Sequence, residues 1–200
     1  ETERGNSCGR RRGQREHKRG AATPALAADQ VAALVKANTT YPVEPAELVD
    51  NPYFAASCTY RSRFPIALET VDHACFPATH VQWVNLIEKA TGLNDPGDAR
   101  RVEALLVDVL ERLAEEGDTI ADEAHVLRAA SEIPLIRPCP VSRALVNAYN
   151  LGAASLGEYA RWTPLVGASL EDGSGAYKLQ HLHEVGLDIS DHMHERRKAK

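Results

Sequence analysis

Apolar side chains recur at helical spacing along most of this chain, and strand-like alternation nowhere persists for more than about five residues. The clearest run is Val102, Leu105, Leu106, Val109, Leu110 and Leu113, at i, i+3, i+4, i+7, i+8 and i+11, with charged residues between. That spacing predicts an amphipathic helix with one buried stripe. Asp95-Pro96 stands ahead of it in the cap-then-proline order, and Gly117 ends it. Asp118 is a candidate cap for a following helix through about Ser131, with Ile120, Ala124 and Leu127 inward. The two would form an antiparallel hairpin around a tight glycine turn.

Weaker patterns fill the remainder. Residues 26–37 are alanine-rich, with Val31, Leu34 and Val35 on one face. Pro45 is placed to open a short helix through Leu48, and Asn51-Pro52 reads as a turn. Tyr53, Phe54, Tyr60, Phe64 and Phe76 crowd residues 53–77, where Pro65 and Pro77 punctuate short helices and loops packed by aromatics. Thr79 looks like a cap for a helix carrying Trp83, Leu86, Ile87 and Ala90, stopped by Gly92. Residues 133–140 form a proline-rich connector, and Val141, Leu145, Ala148 and Tyr149 start another helix. Residues 167–175 read as a flexible turn, Ser174 as the cap of a helix to Val185, and Ser190 as the cap of a last helix. The expected fold is therefore all-α: an irregular helical bundle around the antiparallel pair, forming one domain over residues 21–200, with a candidate internal boundary at 132–140.

Composition agrees with a globular chain. Of 200 residues, 44% are apolar by type and 26% charged, which excludes wholesale disorder and low-complexity architecture. No apolar stretch is long enough for a transmembrane helix, and no signal-peptide pattern is present. The chain starts at Glu1 and has methionine only at Met193, so it is read as a processed product, a fragment or an expression product. Cys8, Cys58, Cys75 and Cys139 lie far apart, without CxxC spacing, and fit reduced thiols in a cytoplasmic protein.

Charge changes the picture more. Residues 1–20 carry a net +4 and the remaining 180 a net −9. The first segment has no large apolar side chain and should be a flexible arm. Its Arg10, Arg11, Arg12, Arg15, Lys18 and Arg19 can neutralise phosphates or meet an acidic protein surface. A basic arm on an acidic body is the most visible feature of the sequence.

Candidate chemistry is sparse. His181-x-His183 and His192-x-His194 suggest metal ligands, but on a helix residues i and i+2 point about 200° apart. Helical spacing instead pairs Asp122 with His125, His181 with Glu184 and Asp191 with His194, the carboxylate-and-imidazole arrangement of di-metal helical bundles. Those six residues are the candidate ligands for zinc, iron or manganese, with Glu103, Asp108 and Glu158 as further carboxylates. Asp122-Glu123-Ala124-His125 spells a helicase motif but lacks the phosphate-cradling loop that the motif requires upstream. Asp72-His73-Ala74-Cys75, with His80 nearby, offers a thiol and an imidazole. No GxGxxG loop is present.

The expected function is a non-enzymatic structural or assembly protein without a cofactor. Its helical body would bind protein neighbours, and its arm would contact RNA, DNA or an acidic partner, away from any membrane. The alternative is a metal-dependent helical hydrolase or oxidoreductase using the His and Asp/Glu ligands named above.

Overall fold

The computed structural model describes residues 45–78, 91–152 and 165–198. The basic arm, the alanine-rich segment 26–37 and the segment carrying Trp83 lie outside the described residues. Three short helices come first: α1 (Pro45–Asp50), α2 (Phe54–Thr59) and α3 (Leu68–Cys75). The long α4 (Ala99–Glu116) follows. Then come β1 (Ala121–Asp122), α5 (Glu123–Glu132) and α6 (Arg143–Ala148). β2 (Leu165–Ser169), β3 (Gly175–Leu179) and α7 (Gln180–Lys198) complete the order.

The all-α expectation is overturned. About 57% of the described residues are helical, and a three-stranded antiparallel sheet, ordered β1-β3-β2, packs with α4 and α5. The helix expected from Ser174 to Val185 is a strand followed directly by a helix. Tyr177 and Leu179 are two apart because they share one strand face, whereas Leu182 and Val185 are three apart because α7 has begun at Gln180. A single window laid across this junction mixes both periods. Ser174 caps no helix: its backbone N–H and its hydroxyl both donate to Asp172 Oδ1, at 2.9 and 2.6 Å, in the β2–β3 turn. Leu165 lies opposite Leu179 and Gly167 opposite Tyr177 in the sheet. Ser190 lies inside α7 and starts nothing.

α4 is the centre of the core. Val102, Leu105, Leu106, Val109 and Leu110 are buried as the spacing predicts, and Leu113 packs at the margin. Ala104, Val107 and Arg101 are buried as well, so other elements surround the helix more widely than one stripe implies. Its cap is Asp98, whose side chain accepts from the Arg100 backbone N–H at 3.0 Å. Asp95 instead accepts from the Gly97 N–H in the turn before it. Gly117 ends the helix at φ 106°, in the left-handed region where a side chain would be strained.

The next helix starts later than expected. Asp122, not Asp118, caps α5 by accepting from the His125 N–H at 2.9 Å. This later start places Val126 and Ala130 inward, while Ile120 and Ala124 are exposed. Glu123 then links three elements. It takes Arg143 of α6 at 2.8 Å and lies 3.4 Å from the Tyr177 hydroxyl of β3. It also lies beside Gly175, where a Cβ would stand 2.5 Å from its carboxylate.

A buried ion pair joins the N-terminal helices to α4. Arg101 and Asp72 are 0% and 1% exposed at their side chains, and their two-point contact measures 2.7 and 2.9 Å. The Tyr53 hydroxyl donates to the same carboxylate at 2.9 Å. Arg101 also donates to the Pro96 and Arg137 carbonyls and lies 4.2 Å from the centre of the Phe76 ring. Removing one partner from a buried pair leaves an uncompensated charge and typically costs about 3–5 kcal/mol. Asp72→Ala should lose stability on that scale in urea unfolding, whereas Asp72→Leu combined with Arg101→Met should recover most of the loss. A single-site loss under about 1 kcal/mol would show the pair to be dispensable.

Candidate interaction surface

α7 leaves the sheet and runs outward. Its first turn is attached to the body: Leu182 packs at the core margin, His181 Nε2 meets the Arg61 guanidinium, and Arg61 lies 3.6 Å from Glu111. Gln180 donates to Glu184 at 2.8 Å, one helical turn on. No residue of the helix is buried. Val185, Ile189 and Met193 are 52%, 60% and 51% exposed, and with Leu182 they fall along one face at spacings of three and four. Leu187, also 52% exposed, lies on the opposite face. The sequence pattern held this stripe, but the expectation of a break at Ser190 divided it.

A second concave feature lies between the α2–α3 loop and the C-terminal half of α4. It is a cleft of about 300 Å³ with Tyr60, Ile66, Asp108, Glu111 and Glu115 among its walls. Burial pushes the Asp108 carboxyl up, partly offset by Arg112 at 2.6 Å. Glu111 is also held up by burial, partly offset by Arg61. Arg112 also reaches Glu69 at 3.2 Å. The cleft is thus lined by carboxylates, of which Asp108 faces Arg112 and Glu111 faces Arg61.

The candidate metal ligands are distributed through the fold. Asp122 is occupied as the cap of α5, and His125 Nδ1 lies 3.2 Å from an Arg128 guanidinium nitrogen. His181 and Glu184 sit in the first turns of α7, whereas Asp191 and His194 are exposed on its outer half. Among the described residues, no three His, Cys, Asp or Glu side chains are grouped to hold a metal ion. Burial and the adjacent Arg61 both push the His181 imidazole down. Of the further carboxylates, Glu103 and Asp108 are on α4, and Glu158 lies outside the described residues.

The thiol candidates are not activated. Burial, reinforced by the Asp72 carboxylate, pushes the Cys75 thiol up to about 12. Burial pushes Cys139 up to about 11 and raises Cys58 as well. A nucleophilic cysteine needs the opposite shift. Asp72 is engaged by Arg101 and Tyr53, so it orients no imidazole, while His80 lies outside the described residues. The helicase-like tetrad divides between β1 and α5, with its first residue serving as a cap. The basic-arm residues Arg10, Arg11, Arg12, Arg15, Lys18 and Arg19 also lie outside the described residues.

No helix among the described residues is long and apolar enough to cross a membrane. Comparison with protein-family models, with curated proteins and with solved structures gives no match.

Glu103 of α4 is raised by burial from the usual glutamate range to about 7. Below its ordinary value of 4.5 the carboxyl is neutral both folded and unfolded, and its burial has no charge penalty. Between 4.5 and 7 the unfolded chain ionises first, and stability falls as pH rises; above 7 the full penalty, about 3 kcal/mol at most, is present. Glu103→Gln should therefore raise stability at pH 8 by about 1–3 kcal/mol and leave it unchanged at pH 4.5. A gain of equal size at both pH values would overturn this assignment.

Proposed function

We propose that this chain is a non-enzymatic structural or assembly protein of the cytoplasm. Its helical body binds protein neighbours through the outer face of α7, and its basic arm, residues 1–20, contacts nucleic acid or an acidic surface. The observation that carries this reading is a 19-residue helix with no buried residue and an aligned apolar face in solvent. An isolated helix of this length is marginal in water, because most helical stability in proteins comes from packing an apolar face. A single exposed leucine needs no explanation, but Val185, Ile189 and Met193 in register form the pattern that helix-in-groove and helix–helix partners use.

Charge supports the role of the arm. A net +4 segment joined to a −9 body favours the arm as the element that meets phosphates, because the body as a whole repels them at long range. Cysteine usage supports the compartment: among the described residues Cys58, Cys75 and Cys139 are free thiols, which suits a reducing environment.

Two measurements test this function. The double variant Ile189→Asp, Met193→Glu should melt within about 2 °C of the parent in dilute solution, as surface substitutions do. A fall of 8 °C or more would show that the face belongs to the protein's own core, and the assembly role of α7 would fail. For the arm, the full chain should bind a single-stranded RNA homopolymer or a polyglutamate with an affinity that falls steeply with salt. Deleting residues 1–20 should weaken binding and flatten that slope, and an unchanged slope would remove the arm from the function.

A further inference from the structure

We infer that His181 is a proton-controlled latch on α7. As the neutral ring it accepts a hydrogen bond from Arg61 and holds the first turn of the helix to the body. As the imidazolium it loses that bond, turns to Glu184 of its own helix, and frees α7 to swing about its junction with β3. The inference goes beyond the assembly reading and stands without it, since it concerns where α7 points and not what docks there.

The attachment is confined to one turn. Gln180, His181, Leu182 and His183 are half-buried, and every residue from 184 to 198 is exposed. Leu182 supplies the apolar contact with the core margin. The polar contact is Arg61, in the loop after α2, against Nε2 of His181. A guanidinium has only N–H donors, so Nε2 is the bare nitrogen and the proton of the neutral ring sits on Nδ1. Arg61 also lies 3.6 Å from Glu111 of α4. A chain of contacts therefore runs from α4 through Arg61 to α7, and its last link depends on the ring's capacity to accept.

Protonation removes that capacity outright. The imidazolium has a donor on both nitrogens, so Nε2 and Arg61 become two positively charged donors in contact. Partial burial and the Arg61 charge oppose that state in the attached helix, and so does the positive end of the helix dipole, because His181 stands in the first turn. Glu184 favours it. This carboxylate is three residues on, on the same side of the helix, and accepts from Gln180 at 2.8 Å. An imidazolium that takes Glu184 exchanges a bond between elements for one within α7. The other charges nearby are few. His183 points about 200° away on the same helix. Of the strands packed with α7, β2 has no ionisable side chain, and β3 has Lys178 and Tyr177, whose hydroxyl lies 3.4 Å from Glu123. Asp108 and Glu115 stand near Glu111 on α4. Among the described residues no third ligand is grouped with His181 and Glu184, so the pair offers proton chemistry. Above the ordinary imidazole value of 6.5 the ring is neutral whether the helix is attached or free, and the latch is fully closed. Below 6.5 the freed ring takes up a proton more readily than the attached one, so the attached state loses ground as pH falls.

Nuclear magnetic resonance on the full chain tests both halves of the latch. At pH 8 the nitrogen shifts of the His181 ring should report the proton on Nδ1, and the ring should titrate below 6.5, with Arg61→Gln moving the midpoint up. A proton on Nε2 at pH 8, or a midpoint indifferent to Arg61→Gln, would overturn the inference. Residual dipolar couplings of backbone amides read the direction of the helix. At pH 7.5 those of α7 should fit one alignment with those of α4. At pH 5.5 they should shrink relative to α4, as a contact of this exposure changes the freed fraction by about threefold. His181→Gln, whose amide oxygen accepts from Arg61 at either pH, should keep the neutral couplings at pH 5.5. Parent couplings that do not respond to pH, or an equal reduction in His181→Gln, would show that His181 does not hold the helix.

Discussion

The ion pair between Asp72 and Arg101 is the interaction on which the described body depends. Both side chains are inaccessible to water, so their charges must be satisfied within the protein or not at all. Asp72 accepts two bonds from Arg101 and one from Tyr53; Arg101 donates also to two backbone carbonyls and lies over the Phe76 ring. The consequence is geometric. α2, α3, the turn before α4 and the proline-rich connector around Arg137 must all converge on one guanidinium. A hydrophobic core tolerates sliding by a rotamer, but a two-point guanidinium contact does not. Residues 133–140 are thereby held to the body. The same stretch that looks like a domain boundary in sequence supplies a carbonyl to the centre of the core.

That interaction was invisible in the sequence. Arg101 sits at the start of a strongly patterned helix, where an arginine reads as a solvent-facing charge. Its partner is 29 residues away, and no spacing rule connects the two. What pattern reveals well is repetition within one element. The α4 stripe was legible because six apolar residues keep one period over three turns, and its glycine stop because only glycine suits the backbone there. The sheet was lost for the converse reason. β1 is two residues long, β2 carries the small residues Gly167, Ala168 and Ser169, and β3 runs without a break into α7. None gives four or more alternating side chains in isolation, and the strands are specified by pairing with each other. Gly152 and Gly167 illustrate this: their backbones bond at 2.7 Å because neither carries a Cβ that would intervene, a requirement set by contact and not by local pattern.

The site shows the same division. The residues singled out for chemistry were chosen by type and spacing, and the fold gives several of them ordinary structural roles. Asp122 caps a helix, Asp72 neutralises an arginine, and the cysteines are raised by burial beyond useful reactivity. The apolar positions on α7 were all present in the sequence, but an expected helix end at Val185 and a new start at Ser190 separated Val185, Ile189 and Met193. Only a continuous helix makes them one face. Where a helix starts thus decides whether three scattered hydrophobes are noise or a surface.

The exposure of that face also constrains how α7 relates to the body. A helix anchored by one turn and exposed over the next four behaves as a lever whose tip is free to be chosen by a partner. Its anchor is itself electrostatic: Arg61 bridges His181 of the helix to Glu111 of α4. Since burial and Arg61 together disfavour the imidazolium, the neutral ring is the form that accepts from the guanidinium. Protonation at acidic pH would set two cations against each other at the base of the helix, with Glu111 and Glu184 the nearby carboxylates able to compensate. The orientation of the outer face is therefore coupled to the α4 surface through a single arginine. Whatever docks on Ile189 binds an element whose direction is fixed some ten residues earlier, where a strand gives way to a helix.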